Sequence, residues 1–269
     1  MYADIKEDLS VKKNKAFQVD VPSNLDNIRI ILVEPQIPGN IGSTARIMKG
    51  MGLTELVLVN PAPWRDSEEA WRMACASIDI LGNSKVVSTL AEALEGVHYL
   101  VGTTHRKRDG ILPNLVTPRK AAQQIAAVSQ DKIVGLLFGR EDKGLTNENL
   151  SFCQLYASIP MARKNPSLNL SHAVMVFAYE IFMASLDEIP YVESDLAEIS
   201  EIERFYQRVA KLMERVGFVP YNNDWNSLFY VLRRIFGRVS LEKRDLSSLY
   251  LIFSEIDRYI TRNIKEPIS

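Results

Sequence analysis

The sequence is poor in the residues that build metal sites and disulfide frameworks, with 2 cysteines and 3 histidines in 269 residues. Cys75 and Cys153 lie far apart and form no CxxC pair, and His98, His105 and His172 are equally scattered. Zinc and haem spacings are therefore missing, and a disulfide scaffold is excluded. Charge of one sign is not in excess either. Against 33 Asp and Glu stand 32 Lys and Arg, so any nucleic-acid footprint has to be local. No apolar run reaches the roughly 18 residues of a membrane-spanning helix, and MYADIKEDLSVKKNKAF places charges where a signal peptide needs an apolar core. These absences together lead us to expect a reducing, cytoplasmic setting with no metal and no membrane. Also missing are GxGxxG after a strand, GxxxxGK[ST] and GxSxG. Dinucleotide-dependent redox chemistry, P-loop chemistry and Ser-His-Asp hydrolysis are disfavoured accordingly.

What is present is an ordinary globular mix, 46% hydrophobic and 24% charged. Residues 1–27 are polar and aperiodic and read as an N-terminal extension. From Ile28 the pattern changes. IRIILV, ELVLVN, HYLVG, KIVGLLFG and LYASIP are short apolar runs bounded by turn residues, which predicts buried parallel strands. Helical patterns lie between them, at about Asn40 to Met51, Arg65 to Leu81, Pro118 to Val128 and Ser167 to Leu186. Residues 28–188 thus read as an α/β domain with a parallel sheet covered on both faces. Residues 189–269 read as a helical C-terminal domain with three stripes: Leu196 to Val216, Trp225 to Phe236, and Leu246, Leu249, Ile252, Ile256, Tyr259 and Ile260. Gly217 followed by Pro220 marks a helix stop.

Three segments carry the polar residues that suggest chemistry. In VEPQIPGNIGSTARIMKGMGL a strand runs through a turn into a helix, with Asn40 as the expected N-cap. Gly42, Arg46 and Lys49 share one face of that helix, so a ligand close to the backbone at Gly42 meets the Arg46 guanidinium; the alternative is a solvated Arg46. In LLFGREDKGLTNENL, Gly139 stands at a strand's carboxyl end, where open α/β sheets bind ligands. Arg140 and Glu141 either hold substrate or pair with each other. Thr146 opens an imperfect capping box, with Asn149 where an acid is usual. In SIPMARKNPSLNLSHAVMVFAYEIF a basic loop precedes a helix with Ser167 as expected N-cap. That helix is apolar almost all round, so its far side either meets a second subunit or is the core of a monomer. Arg106, Lys107, Arg108, Arg140, Lys143, Arg163 and Lys164 all fall in loops after strands. In a parallel sheet those loops share one rim, which suggests a phosphate-binding patch; the alternative is a solvated charged face.

In this order, PGNIGSTAR with MGL and VNP, FGREDKGLTNE, and IP…SLNLSHAV resemble the three signature motifs of the TrmH/SpoU branch of the SPOUT RNA 2′-O-methyltransferases. The resemblance covers about Ile28 to Leu186, and the helical extension with the TT-x-R loop after HYLVG is most similar to the TrmJ type. It implies a SPOUT-type parallel sheet with a C-terminal trefoil knot, and an S-adenosylmethionine cofactor held by the knot loops. It further implies a homodimer with its active site at the interface, and methylation of the pyrimidine ribose at tRNA anticodon-loop position 32. Ribosomal RNA is the alternative substrate, and an RNA-binding protein without catalysis the alternative function.

Carried over by position, Thr103, Thr104, His105, Gly139, Ile159, Pro166, Ser167 and Leu168 would hold the cofactor. The catalytic residues would be Arg46 and Ser167. Asn40, Glu141 and Asn169 fall on further signature positions and, with Arg140, Arg106 and Arg108, are assigned to the substrate. A guanidinium does not give up its proton at physiological pH. Arg46 is therefore expected to clamp a phosphate and the nascent alkoxide, with Ser167 or bulk water taking the proton. Arg233, Arg234, Arg238, Lys243 and Arg244 are expected to grip RNA phosphates, the alternative being that the helical domain serves only to dimerise.

Overall fold

The computed structural model describes residues 20–105, 115–163, 168–186, 195–237 and 239–263. Seven strands form one sheet: β1 (Ile28–Val33), β2 (Glu55–Val59), β3 (Lys85–Val87), β4 (Tyr99–Thr103), β5 (Leu115–Val116), β6 (Val134–Phe138) and β7 (Leu155–Ala157). Their spatial order is β3-β2-β1-β6-β4-β7-β5, and every pairing is parallel. Five of the seven come from the apolar runs. β3 and β5 were not expected from sequence: both are short edge strands, and most of their residues are not buried, so neither needs a continuous apolar run.

Alternation along the strands builds a core on each face. Ile28, Ile30 and Leu32 of β1 point into one cluster with Leu56, Leu136 and Phe138, while Ile31 and Val33 point into the other with Val57 and Leu137. The first face is covered by helices α1 (Pro38–Gly50), α2 (Glu68–Ala74), α3 (Ile78–Gly82), α5 (Pro118–Val128) and α7 (Leu170–Leu186). The second carries α4 (Leu90–Ala93) and α6 (Asn147–Ser151), with Ile199 at the start of α8 (Ile199–Arg215). The end of the expected N-terminal extension is also folded. Ser23–Asn27 is a 3-10 helix whose Leu25 is fully buried, and Asn24 Nδ2 donates to Ser129 Oγ and Ser185 Oγ at 2.9 and 3.0 Å.

Local sequence chemistry sets the helix starts, not always where expected. α1 begins at Pro38, whose fixed φ suits the first helical position, so Asn40 is not its N-cap. Asn40 sits two residues inside the helix and is buried. α7 begins three residues later than expected. Asn169, not Ser167, serves as its cap, accepting the Ser171 N–H at 2.8 Å on Oδ1. Ser167 itself lies outside the described residues. Thr146 and Asn149 do complete a capping box, the amide oxygen of Asn149 taking the role of the usual acid.

The helix expected over Arg65 to Leu81 is broken at Cys75, where φ is 50°. α2 packs against α1 backbone to backbone: a Cβ on Gly42 would sit 1.9 Å from the Ala70 carbonyl oxygen. The close approach that a glycine permits here is therefore made by α2, not by a ligand. Gly42→Ala should lower stability by about 3 kcal/mol, read as a drop in the denaturant midpoint; an unchanged midpoint would mean the two helices are not locked at this point.

Beyond Asp195 run α8, α9 (Trp225–Phe236) and α10 (Lys243–Asn263). Phe205 of α8 is fully buried and makes edge contacts with Phe236, Tyr250 and Phe253. The third expected stripe is only half correct: Leu246 and Ile260 are buried, but Ile252, Ile256 and Tyr259 are exposed. These helices touch the sheet layers through the Ile199 N–H, which donates to Val97 O at 2.9 Å, and through Arg233, which stacks 3.8 Å from the Phe152 ring centroid.

Candidate functional site

At the carboxyl ends of the adjacent strands β6, β4 and β7 lies a cavity of about 290 Å³. Its walls are Thr103–His105 after β4, the loop from Phe138 to Leu145 after β6, and Ala157, Ile159 and Met161 along and after β7, closed by Leu168 and by Leu170, Ala173 and Phe177 of α7. Thr103, Thr104, His105, Gly139, Ile159 and Leu168, all expected at a cofactor site, meet here. Pro166 and Ser167 lie outside the described residues. Sequence reasoning missed the apolar floor of Phe138, Ala157, Leu170, Ala173 and Phe177. At strand ends and helix starts such residues look like ordinary core.

The loops are tied to the sheet and to themselves. Thr103 Oγ1 donates to Leu137 O at 2.8 Å, and Thr104 N–H to Ala157 O at 2.9 Å, so the β4 loop is held by both neighbouring strands. The β6 loop folds back tightly, with Gly144 N–H donating to Arg140 O at 2.8 Å. A Cβ on Gly139 would lie 2.2 Å from the backbone of Gly144 and Leu145, and Gly144 itself has φ +68°.

A relay of polar side chains joins the three segments. The Glu141 carboxylate accepts from Gln36 N–H at 2.9 Å, Ile37 N–H at 3.2 Å and Asn40 Nδ2 at 2.8 Å. Asn40 Oδ1 accepts from Asn169 Nδ2 at 2.8 Å, and Asn169 Oδ1 accepts from the Ser171 N–H and hydroxyl at 2.8 and 2.7 Å. All three signature polar residues are thus engaged with one another, and none but Glu141 borders the cavity. Nor do Arg140 and Glu141 pair together. Arg140 bonds Asp142 at 2.9 and 3.1 Å and Glu34 at 3.3 Å. Asp142, then Glu34, raise the Arg140 guanidinium above its ordinary pKa, and Arg140 holds the Asp142 carboxyl below its own.

Arg46 is exposed on α1 and does not line the cavity of its own chain. Its Nη1 donates to Cys75 Sγ at 3.4 Å. Of the expected basic rim, Lys143 and Arg163 are exposed, and Arg106, Lys107, Arg108 and Lys164 lie outside the described residues. The C-terminal cation cluster is largely neutralised from within: Arg233 pairs with Glu203, Lys243 with Asp195 and Arg244 with Glu242. Arg238 lies outside the described residues. Cations also recur at helical spacing along α8: Arg204, Arg208, Lys211 and Arg215 are all exposed, Arg215 pairing with Asp257 and Arg208 bonding Ser254 on α10. Among the described residues no cluster of His, Cys, Asp and Glu is arranged to hold a metal ion, and no helix is long and apolar enough to cross a membrane.

This arrangement has counterparts among known proteins. The profile of the SpoU rRNA Methylase family matches residues 27–179, which contain β1 through most of α7. A protein of Pectobacterium atrosepticum named tRNA (cytidine/uridine-2′-O-)-methyltransferase TrmJ is 38% identical over 239 residues, covering 87% of this chain and 98% of that one. Its Escherichia coli K12 namesake is 39% identical over 240 residues, covering 87% and 96%. With coverage that long, the likeness extends into the C-terminal helices. The crystal structure of TrmJ from Z. mobilis ZM4 superposes with a TM-score of 0.75 at 29% identity, covering 85% of this chain and 98% of that one. The chain belongs to the SpoU methylase family.

Proposed function

We propose that the protein is an S-adenosylmethionine-dependent tRNA 2′-O-ribose methyltransferase acting on the pyrimidine at anticodon-loop position 32. The observation that carries the chemistry is the joining of three sequence-distant loops by Glu141, Asn40 and Asn169 beside one cavity. The choice of tRNA over ribosomal RNA rests on the relatives named for tRNA, whose likeness runs past the α/β layers into the helices.

The cavity suits the cofactor chemically. Its floor of Phe138, Leu170 and Phe177 matches a flat purine, and its walls are backbone-rich loops that offer N–H and C=O groups to a polar edge. Thr103, Thr104, His105, Gly139, Ile159 and Leu168 would hold it, with Pro166 and Ser167 completing the third loop. When bound, S-adenosylmethionine supplies a methyl group on a sulfonium for transfer to oxygen. Everything else is left to the chain. Arg46 clamps an RNA phosphate and stabilises charge growing on the 2′-oxygen, while Ser167 or bulk water takes the proton. Asn40, Glu141 and Asn169 act on the substrate by fixing the loops that present these groups, and Arg140, Arg106 and Arg108 add phosphate contacts.

The segment from β6 through α7 is the part of the chain that would thread the trefoil knot, a rare exception to unknotted chains. In support, β6 and β7 flank β4, so the chain crosses that strand between them. Residues 28–188 form the methyltransferase domain in this reading, and residues 189–269 the helical domain. A cytoplasmic location follows from the substrate.

Two copies make the working enzyme. Met175, Tyr179, Met183 and Leu186 form an exposed apolar stripe along α7, 37 to 47% accessible, of the kind that a second subunit covers. The absence of Arg46 from its own cavity lining supports an active site completed across that interface. Replacing Tyr179 and Met183 by Asp should halve the mass seen by light scattering and remove methyl transfer; a dimeric, active double variant would place the interface elsewhere.

RNA is gripped outside the active site by the α8 face. Replacing Arg204 and Lys211 by Ala should weaken tRNA binding about tenfold and flatten its salt dependence by about two counterions, with cofactor affinity unchanged. Unaltered tRNA affinity would remove α8 from the RNA path. The substrate itself is tested by incubating the protein with labelled cofactor and total RNA from a host lacking the methylation, then mapping the label. We expect it in tRNA anticodon loops; label in ribosomal RNA would keep the chemistry and overturn the substrate.

A further inference from the structure

Along one face of α1, three residues meet the segment 70–79 in sequence. Gly42 lies against the Ala70 carbonyl, Arg46 Nη1 donates to Cys75 Sγ at 3.4 Å, and Lys49 Nζ donates to Ala76 O at 2.9 Å and to the Asp79 carboxylate at 2.8 and 2.9 Å. The chain turns at Cys75 with φ 50° and ψ −121°, a conformation that side chains with a Cβ rarely adopt. The Cys75 thiol donates to Arg72 O at 3.3 Å, which aims its hydrogen at α2 and leaves the sulfur lone pairs for the guanidinium. Lys49 holds the Asp79 carboxyl below its ordinary pKa, so this pair stays charged and anchors the far side of the turn.

We infer that Cys75 is a positioning residue for Arg46. Its sulfur takes one of the five guanidinium N–H groups and directs the others outward, toward the RNA phosphate and the developing 2′-alkoxide. The strained turn places the sulfur where it can do this, since Gly42 has already brought the α1 and α2 backbones into contact. A cysteine in a position that suits glycine is explained by what its side chain holds. This inference rests on the catalytic role proposed for Arg46.

The test compares full-length wild type with Cys75→Ser, Cys75→Ala and Cys75→Gly in steady-state tRNA methylation, alongside melting temperature and cofactor affinity. Cys75→Ala should lower kcat about tenfold while KM for tRNA and cofactor affinity stay within about twofold. Cys75→Ser, which keeps an acceptor at the same place, should restore most of kcat. Cys75→Gly should match Ala in kcat yet melt higher, because it relieves the positive φ; lost activity in a more stable protein is not unfolding. Full kcat in Cys75→Ala, an equal loss in Cys75→Ser, or losses that track melting temperature would overturn the inference while leaving the methyltransferase reading intact. A wild-type protein inert toward every RNA would overturn both.

Discussion

Arg46→Ala is expected to lower kcat/KM for RNA methylation by roughly 100- to 1,000-fold while leaving cofactor affinity within about twofold. The magnitude follows from the proposed role, in which a pre-aimed cation is removed from a developing oxyanion. The selectivity follows from place: Arg46 is exposed on α1 and is not among the residues lining the cavity. Arg46→Lys should recover little, because an ammonium supplies a point charge without the planar fork. Rates with saturating cofactor, combined with calorimetric titration of S-adenosylmethionine, separate the two effects. An equal loss of cofactor binding would make Arg46 part of the cofactor site and sink its role as a clamp on the substrate.

Glu141→Ala is expected to be nearly as damaging by a different route. Its carboxylate takes two backbone N–H groups of the β1–α1 loop and the Asn40 amide, and through Asn40 it reaches Asn169 at the start of α7. Removing it unpairs all three donors, at about 2 kcal/mol of stability, and frees the β6 loop that forms a cavity wall. Melting temperature and cofactor affinity should therefore fall together, with activity down about 100-fold. Glu141→Gln should do less, since it keeps one acceptor oxygen but turns an NH₂ toward a donor. If Glu141 instead touched only RNA, Glu141→Ala would raise KM for tRNA and leave stability and cofactor binding alone.

How much of this was legible beforehand depends on whether the signal is local. Strands β1, β2, β4, β6 and β7 declare themselves as apolar runs because both faces of the sheet are buried. The edge strands β3 and β5 do not, since few of their residues are buried. The residues at the cavity mouth were found through motif order, and the loops at strand carboxyl ends do converge on one side. Asn40 shows where local reading stops. Asn before a helical run suggests an N-cap, but Pro38 starts the helix earlier, and Asn40 is used instead for bonds to residues 101 and 129 positions away. No spacing rule shows such pairings. Arg233 is a parallel case: in sequence it reads as part of a basic cluster, in space it is held by Glu203 and the Phe152 ring. The α8 cations are legible in principle, lying at helical spacing opposite an apolar stripe, but no two of them are adjacent in sequence to mark a basic run.

The proposed reaction delivers a methyl group to one ribose 2′-oxygen. The most direct measurement uses two synthetic tRNA anticodon stem-loops that differ only in a 2′-hydroxyl or 2′-hydrogen at position 32, with labelled S-adenosylmethionine. Label should enter the first and not the second, while both bind with similar affinity. Equal labelling of the deoxy stem-loop would send the methyl group to a base or another ribose and rule out 2′-O transfer at position 32.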